Sequence, residues 1–314
     1  MRRTARWLGA AIFAASLAYL LALPLRQGVG WPHLRWDGAA RLAFAAGVGL
    51  YEVALLTAAI SWYLLLRAAG ERPGFTTLLA INLLSQVAKY VPGNVAHYAG
   101  RAALARRAGL ATASVVHTLL VETVCAIAAA AVFAAAMLDP GGRQLWLSRV
   151  PPGRLAAAVA LGVGAAWLGR RLVARFAPAT APGPPEAPGG GRRSAVAWLV
   201  CVGLNGVNFC LFGAVAMLLV RTLFASPEAP FPALAGLFAA AWVAGFVVPG
   251  APAGLGVREA VLTGGLRPLY GAEVALALPL VFRLLTVTGD AVAFFLGALL
   301  RRSAVPSGEE AGHA

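Results

Sequence analysis

Charge is what this chain has least of. Only 12% of its 314 residues are charged, against 60% hydrophobic residues and a mean hydropathy of +0.76. Apolar runs long enough to cross a bilayer recur along its length, which excludes a soluble globular domain and predicts a polytopic, all-α membrane protein. Cysteine is scarce as well. Cys125, Cys201 and Cys210 lie inside apolar runs without metal-ligand spacing, so they read as small packing residues rather than a metal centre. No nucleophile stands beside a base, no carboxylates pair in register, and no soluble stretch is long enough to fold into a catalytic domain. The string "GAPAGLG" lacks the terminal Gly-Lys-Ser/Thr of a phosphate loop, and no strand precedes the scattered glycine pairs. Neither an enzyme nor a cofactor is expected.

The charge that is present is mostly Arg. A net charge of +14 would suggest nucleic acid in a soluble chain. Here most Arg residues flank apolar runs, where they orient the spans and meet anionic lipid headgroups, so the membrane is the expected partner and nucleic acid is not. Of 26 basic residues only Lys89 is a lysine, a bias that fits a G+C-rich bacterial genome.

Full spans are predicted near 7–25 (the first span), 40–66, 111–138, 154–172 (a connecting span), 194–220 and 273–300, with shorter apolar runs at 75–91 and 232–248. The short runs end alike. Val91-Pro92-Gly93 and Val248-Pro249-Gly250 share a tripeptide, and Arg101 and Arg258 each follow the proline by nine residues. "VPGNVAHYAGRAA" overlays on "VPGAPAGLGVREA", and a long span precedes and follows each. This predicts an internal duplication, repeat 1 over 40–138 and repeat 2 over 194–300, within a single membrane domain of residues 1–314.

Proline removes an amide donor and disfavours helix at the residue before it, and Gly93 and Gly250 permit a sharp turn, so each short run is expected to form a re-entrant hairpin. Irregular backbone at membrane depth survives only inside protein or against a wet cavity. With two hairpins, Arg170, Arg171, Arg175, Arg192 and Arg193 share a face with the N-terminal Arg residues. The positive-inside rule then places both termini in the cytoplasm of a bacterial inner membrane and inverts the repeats relative to one another. The Pro/Gly-rich stretch at 177–193 is expected to be a flexible cytoplasmic linker.

Ionisable groups are costly in a bilayer, so those at depth mark the candidate site: Glu52, Lys89, Arg101, Glu122, Arg258, Glu259, Arg283 and Asp290. Arg283, Thr286 and Asp290 share one helical face, yet Arg283 and Asp290 stand about 10 Å apart along the axis, too far to pair directly. Thr118, Glu122 and Cys125 share another face, and Asn205 with Asn208 form a third polar patch. His97 reads as a hydrogen-bonded core residue or a proton carrier. The second break opens a helix whose first turn holds Gly254, Gly256, Arg258 and Glu259; free amides plus an Arg make an anion site, and phosphate is its natural ligand. Arg101 is its counterpart in the first repeat. The competing readings are that Gly250 and Gly254 simply let helices pack, and that the charges form buried structural pairs.

"KYVPGNVAHYAGRAALARRAG" and "VPGAPAGLGVREAVL", followed by Arg283, resemble the lysylphosphatidylglycerol synthase transmembrane-region family over about residues 8–300. That family includes the flippase part of bacterial aminoacyl-phosphatidylglycerol proteins, the membrane part of some archaeal dolichyl-phosphate glycosyltransferases, and stand-alone members. The resemblance implies a lipid-handling module whose motif residues are Pro92, Gly93, Arg101, Pro249, Gly250, Gly254, Gly256, Arg258, Glu259 and Arg283. No aminoacyl-transfer domain stands in these residues, so lipid synthesis is not expected of them. The leading expectation is a flippase-like transporter that binds an anionic phospholipid or an isoprenoid-linked lipid. A non-catalytic scaffold for an envelope glycosyltransferase or lipid synthase, and a small-solute or ion transporter, stay open beside it. An envelope biosynthetic enzyme and a second copy, in a homodimer, are further candidate partners.

Overall fold

The computed structural model describes residues 34–90, 96–137, 190–224, 231–247, 254 and 256–303. Among these, every regular element is helical and there is no strand. In order they are α1 (Gly38–Ala68), α2 (Phe75–Ser85), α3 (Ala96–Arg107), α4 (Thr112–Met137), α5 (Gly190–Leu219), α6 (Phe231–Val247) and α7 (Val257–Ser303). A 3₁₀ turn over Gln86–Tyr90 follows α2, and a π-helical turn over Val220–Phe224 follows α5. The expected spans at 7–25 and 154–172 lie outside the described residues, as do Pro92, Gly93, Pro249 and Gly250. So does most of the 177–193 linker, although α5 already begins at Gly190 and makes the last linker residues helical.

Four helical stretches are long and apolar enough to cross a membrane: Gly38–Ala68, Thr112–Met137, Arg193–Phe224 and Val257–Arg301. The protein is a multi-pass membrane protein, and these stretches coincide with the long runs read from the sequence. Asp37 starts the first of them, its carboxylate accepting the Ala40 amide at 2.9 Å as an N-cap. The last is broken. Gly271 adopts φ 78° and ψ 177°, a conformation open to glycine, and divides α7 into arms over 257–270 and 272–303.

The short helices have a different role. At 1.5 Å per residue α2 is about 16 Å long and α6 about 25 Å, neither enough for a hydrocarbon layer of about 30 Å. They end inside the protein instead. Leu234, Ala235, Ala239, Ala240, Val243 and Ala244 of α6 are fully buried, as is Leu78 of α2. Packing is reciprocal: α2 lies against α7, α6 lies against α4, and the two long helices that open each half, α1 and α5, pack directly on each other. Each half's short arm therefore rests on the other half's closing helix.

Close approach between helices depends on small residues. A Cβ added at Gly213 of α5 would lie 2.9 Å from Ala235 Cβ and 3.0 Å from its backbone N and Cα, atoms that cannot swing aside. Gly213→Ala should therefore destabilise the detergent-solubilised protein by about 1–3 kcal/mol, read as a lower midpoint of thermal unfolding. Gly49→Ala, with open space at its Cβ, should leave that midpoint unchanged.

Candidate anion-binding cavity

Where the short arms meet, a cavity of about 290 Å³ opens between the halves. Its charged lining is Lys89, Arg101, Glu122, Arg258, Glu259 and Arg283. One wall is aromatic, formed by Phe209, Phe212, Phe238, Trp242, Phe246 and Phe282. Tyr51, Asn205 and Asn208 bring the middles of α1 and α5 to it, so the cavity sits about halfway along the long apolar helices. Thus the turn after α2 brings Lys89, α3 brings His97 and Arg101, α4 Glu122, α5 Asn205 and Asn208, and the two arms of α7 Arg258, Glu259 and Arg283 to one place, whereas Glu52 does not line it.

The four cations are answered very differently. Lys89 Nζ lies 2.7 Å from Asp290 Oδ2 and donates to Asp290 Oδ1 at 2.7 Å and to the Tyr51 hydroxyl oxygen at 2.8 Å. The Tyr51 hydroxyl donates to Asp290 Oδ1 at 2.7 Å, and the Tyr90 hydroxyl donates to Asp290 Oδ2. Asp290, only 1% exposed, is thus saturated and stands behind Lys89 rather than in the cavity. The sequence argument that Asp290 could not pair with Arg283 is consistent with this geometry, and the partner it finds is Lys89. Gly289 makes room for the arrangement: a Cβ there would sit 2.3 Å from Tyr51 Cδ1.

Arg101 is also compensated. Its Nη1 lies 2.9 Å from Glu122 Oε2, and its guanidinium carbon is 4.1 Å from the centre of the Trp62 ring. Trp62 is held in turn by an Nε1 donation to Thr118 Oγ1 at 3.2 Å. Arg101 Nε and Nη2 keep no hydrogen-bond partner among the described residues.

Arg258 and Arg283 have no ion pair among the described residues. Arg258 lies 6.0 Å from the Trp242 ring and Arg283 lies 5.7 Å from the Tyr90 ring, and both face the cavity. The spacing of the two Pro-Gly motifs bears on the difference between Arg101 and Arg258. Arg258 follows Arg101 by 157 positions (258 − 101), as Pro249 follows Pro92 (249 − 92); the position 157 beyond Glu122 is Pro279. At that spacing the first motif is followed by a carboxylate and the second by a proline.

Gly254 and Gly256 do not line the cavity; they place Arg258. Both have positive φ, 72° and 80°. A Cβ at Gly254 would lie 2.6 Å from Arg258 Nε, and one at Gly245 of α6 would lie 2.5 Å from Arg258 Cγ, so the side chain threads a slot between two glycines. The Gly256 amide, expected to be free for an anion, donates to Glu259 Oε2 at 2.7 Å. This is the reciprocal half of a capping box, and it engages Glu259 at the start of α7.

Uncharged groups complete the lining. Asn205 Nδ2 donates to the Cys201 carbonyl at 2.9 Å, and Asn208 Oδ1 accepts from Thr57, so each amide uses one end on its own or a neighbouring helix. His97 packs against the Tyr98 ring with centroids 3.8 Å apart, and its Nδ1 has no hydrogen-bond partner among the described residues. Sequence reasoning did not single out Tyr51, Tyr90, Trp242 or Gly245, because an aromatic or a glycine in an apolar helix looks like any packing residue. The role of Lys89 had a signal, its being the chain's one lysine.

Long apolar helices, short arms that end inside the protein and a charged cavity between them define an α-helical, multi-pass membrane domain. The chain belongs to the lysylphosphatidylglycerol synthase TM region family, whose sequence profile matches residues 3–293. No curated protein and no solved structure matches the chain.

The Arg101–Glu122 pair gives a direct test of which charges are structural. Arg101→Ala leaves a buried carboxylate unanswered and should destabilise the protein by about 3–5 kcal/mol in thermal or denaturant unfolding. Replacing Arg101 and Glu122 together by Leu should recover most of that loss. A single variant as stable as the parent would show that the pair holds nothing in place.

Proposed function

We propose that the protein is a flippase-like lipid transporter that holds the phosphate of a lipid headgroup at Arg258 and Arg283. The observation that carries this reading is the pair of guanidiniums facing a cavity halfway along the membrane helices without an ion-pair partner among the described residues. A charge at that depth needs an answer, and a phosphate supplies one in bidentate form. The aromatic rings in the lining suit the apolar part of the same molecule. Membership of a family described as the TM region of a lysylphosphatidylglycerol synthase supports a lipid over a water-soluble ligand.

Transport follows from the layout. Reciprocal packing of each short arm on the opposite half supports two inverted repeats with re-entrant hairpins, rocking about a central site. In this reading the protein lies in the bacterial cytoplasmic membrane with both termini inside. The chemistry is binding and release, with no catalytic residue, and Arg101 with Glu122 and Lys89 with Asp290 hold the walls.

Reconstitution tests this. Vesicles of phosphatidylglycerol carrying a labelled phosphatidylglycerol should show movement of label between leaflets when the protein is present. Arg258→Gln and Arg283→Gln should each slow that movement about tenfold or more, with unfolding midpoints near the parent, while Gly49→Ala should move lipid at the parent rate. Unchanged movement in both Arg variants would reject the site. An enzyme co-purifying without lipid movement would favour the scaffold, and stabilisation by a water-soluble anion alone would favour a solute carrier.

A further inference from the structure

We infer that the cavity has a second subsite that reads free hydroxyl groups beside the phosphate, so its ligand is a hydroxylated phosphate ester carrying glycerol or a sugar. The inference rests on the lipid-phosphate reading above and deepens it. Arg258 and Arg283, which carry that reading, both stand on α7. His97 and Arg101 on α3, Glu122 on α4, and Asn205 and Asn208 on α5 bring polar groups to the same cavity from other helices. Arg101 and Glu122 cancel in charge, so this group offers a second phosphate no net attraction. What it offers is unspent hydrogen bonding.

Arg101 is 5% exposed, and with Nη1 on Glu122 its Nε and Nη2 keep no hydrogen-bond partner among the described residues. Glu122 Oε2, although 2.9 Å from Nη1, accepts no well-directed hydrogen bond among them, and His97 Nδ1 has no partner either. Donors and acceptors thus stand together. Each of the two asparagine amides spends one end on its own or a neighbouring helix and leaves the other. Buried polar groups are rarely left unpaired, because each costs free energy unless water or a ligand meets it. A hydroxyl donates and accepts at once, so a diol suits this mixture whichever tautomer His97 adopts. Water that enters the cavity can serve the same groups; a hydroxylated headgroup that displaces it reproduces those bonds, and an alkyl one does not. The alkyl headgroup leaves them unpaired.

Two short-chain lipids with the same phosphodiester charge, phosphatidylglycerol and phosphatidylpropanol, titrated into the purified full-length protein in neutral detergent, test the subsite. Phosphatidylglycerol should bind at least about tenfold more tightly. His97→Phe, which keeps a ring but removes both nitrogens, should cut that preference to about threefold or less by weakening phosphatidylglycerol alone. A merely structural role for His97 would weaken both lipids. The comparison on the parent protein needs no variant, so it decides the matter even where His97→Phe fails to fold. Equal binding of the two lipids would overturn the hydroxyl subsite and leave the phosphate reading standing. Should neither lipid bind, the lipid reading falls, and glycerol 3-phosphate against propyl phosphate then decides the subsite on its own: the same preference for the glycerol ester retains it, and equal or no binding ends it.

Discussion

A guanidinium or ammonium group placed halfway through a bilayer must be answered by something, because hydrocarbon offers it neither water nor counter-ion. Much of this protein's architecture can be read as the set of answers to four such groups. Lys89 is tied to Asp290 and two tyrosine hydroxyls, which links the turn after α2 to α1 and α7. Arg101 is tied to Glu122 and laid on Trp62, which links α3 to α4 and α1. These ties fasten the turn after α2 and the helix α3 to the long helices around them. Among the described residues Arg258 and Arg283 each meet a ring face and no carboxylate, and both line the cavity.

The two halves answer their buried charges differently. The described helices of each half include long, short and long ones, and 157 positions beyond Glu122 and Lys89 stand Pro279 and Phe246 (122 + 157, 89 + 157). Losing a carboxylate opposite a buried arginine is destabilising for a merely structural element. The surrounding backbone nevertheless keeps Arg258 in place, with Gly245 and Gly254 shaped around its stem. An arginine held by close packing but left without a carboxylate is arranged differently from one that only stabilises a helix contact. Among the described residues, the first half supplies the anchored wall and the second half supplies the open charge.

Among the described residues some of the charges are paired inside the protein and others are not. Lys89, Asp290, Arg101 and Glu122 are paired within the protein. Glu259 serves the start of its own helix. The absence of a Cβ at Gly254 leaves room for the Arg258 side chain.

The chain itself determined the helical class, the four long spans and the two short interrupted segments, because hydrophobic length against bilayer thickness is a local property of consecutive residues. Arg101, Glu122, Arg258, Arg283 and Asp290 stood out for an equally local reason: charge is rare in such runs. Which charge answers which was not legible, since Lys89 and Asp290 are 201 positions apart and meet only once α2 is laid against α7. The slot between Gly245 and Gly254, the ring beneath each cation and the engaged amide of Gly256 are likewise matters of ångström-scale packing between segments. Pairing and vacancy depend on distances in three dimensions, and only the folded helices set those distances.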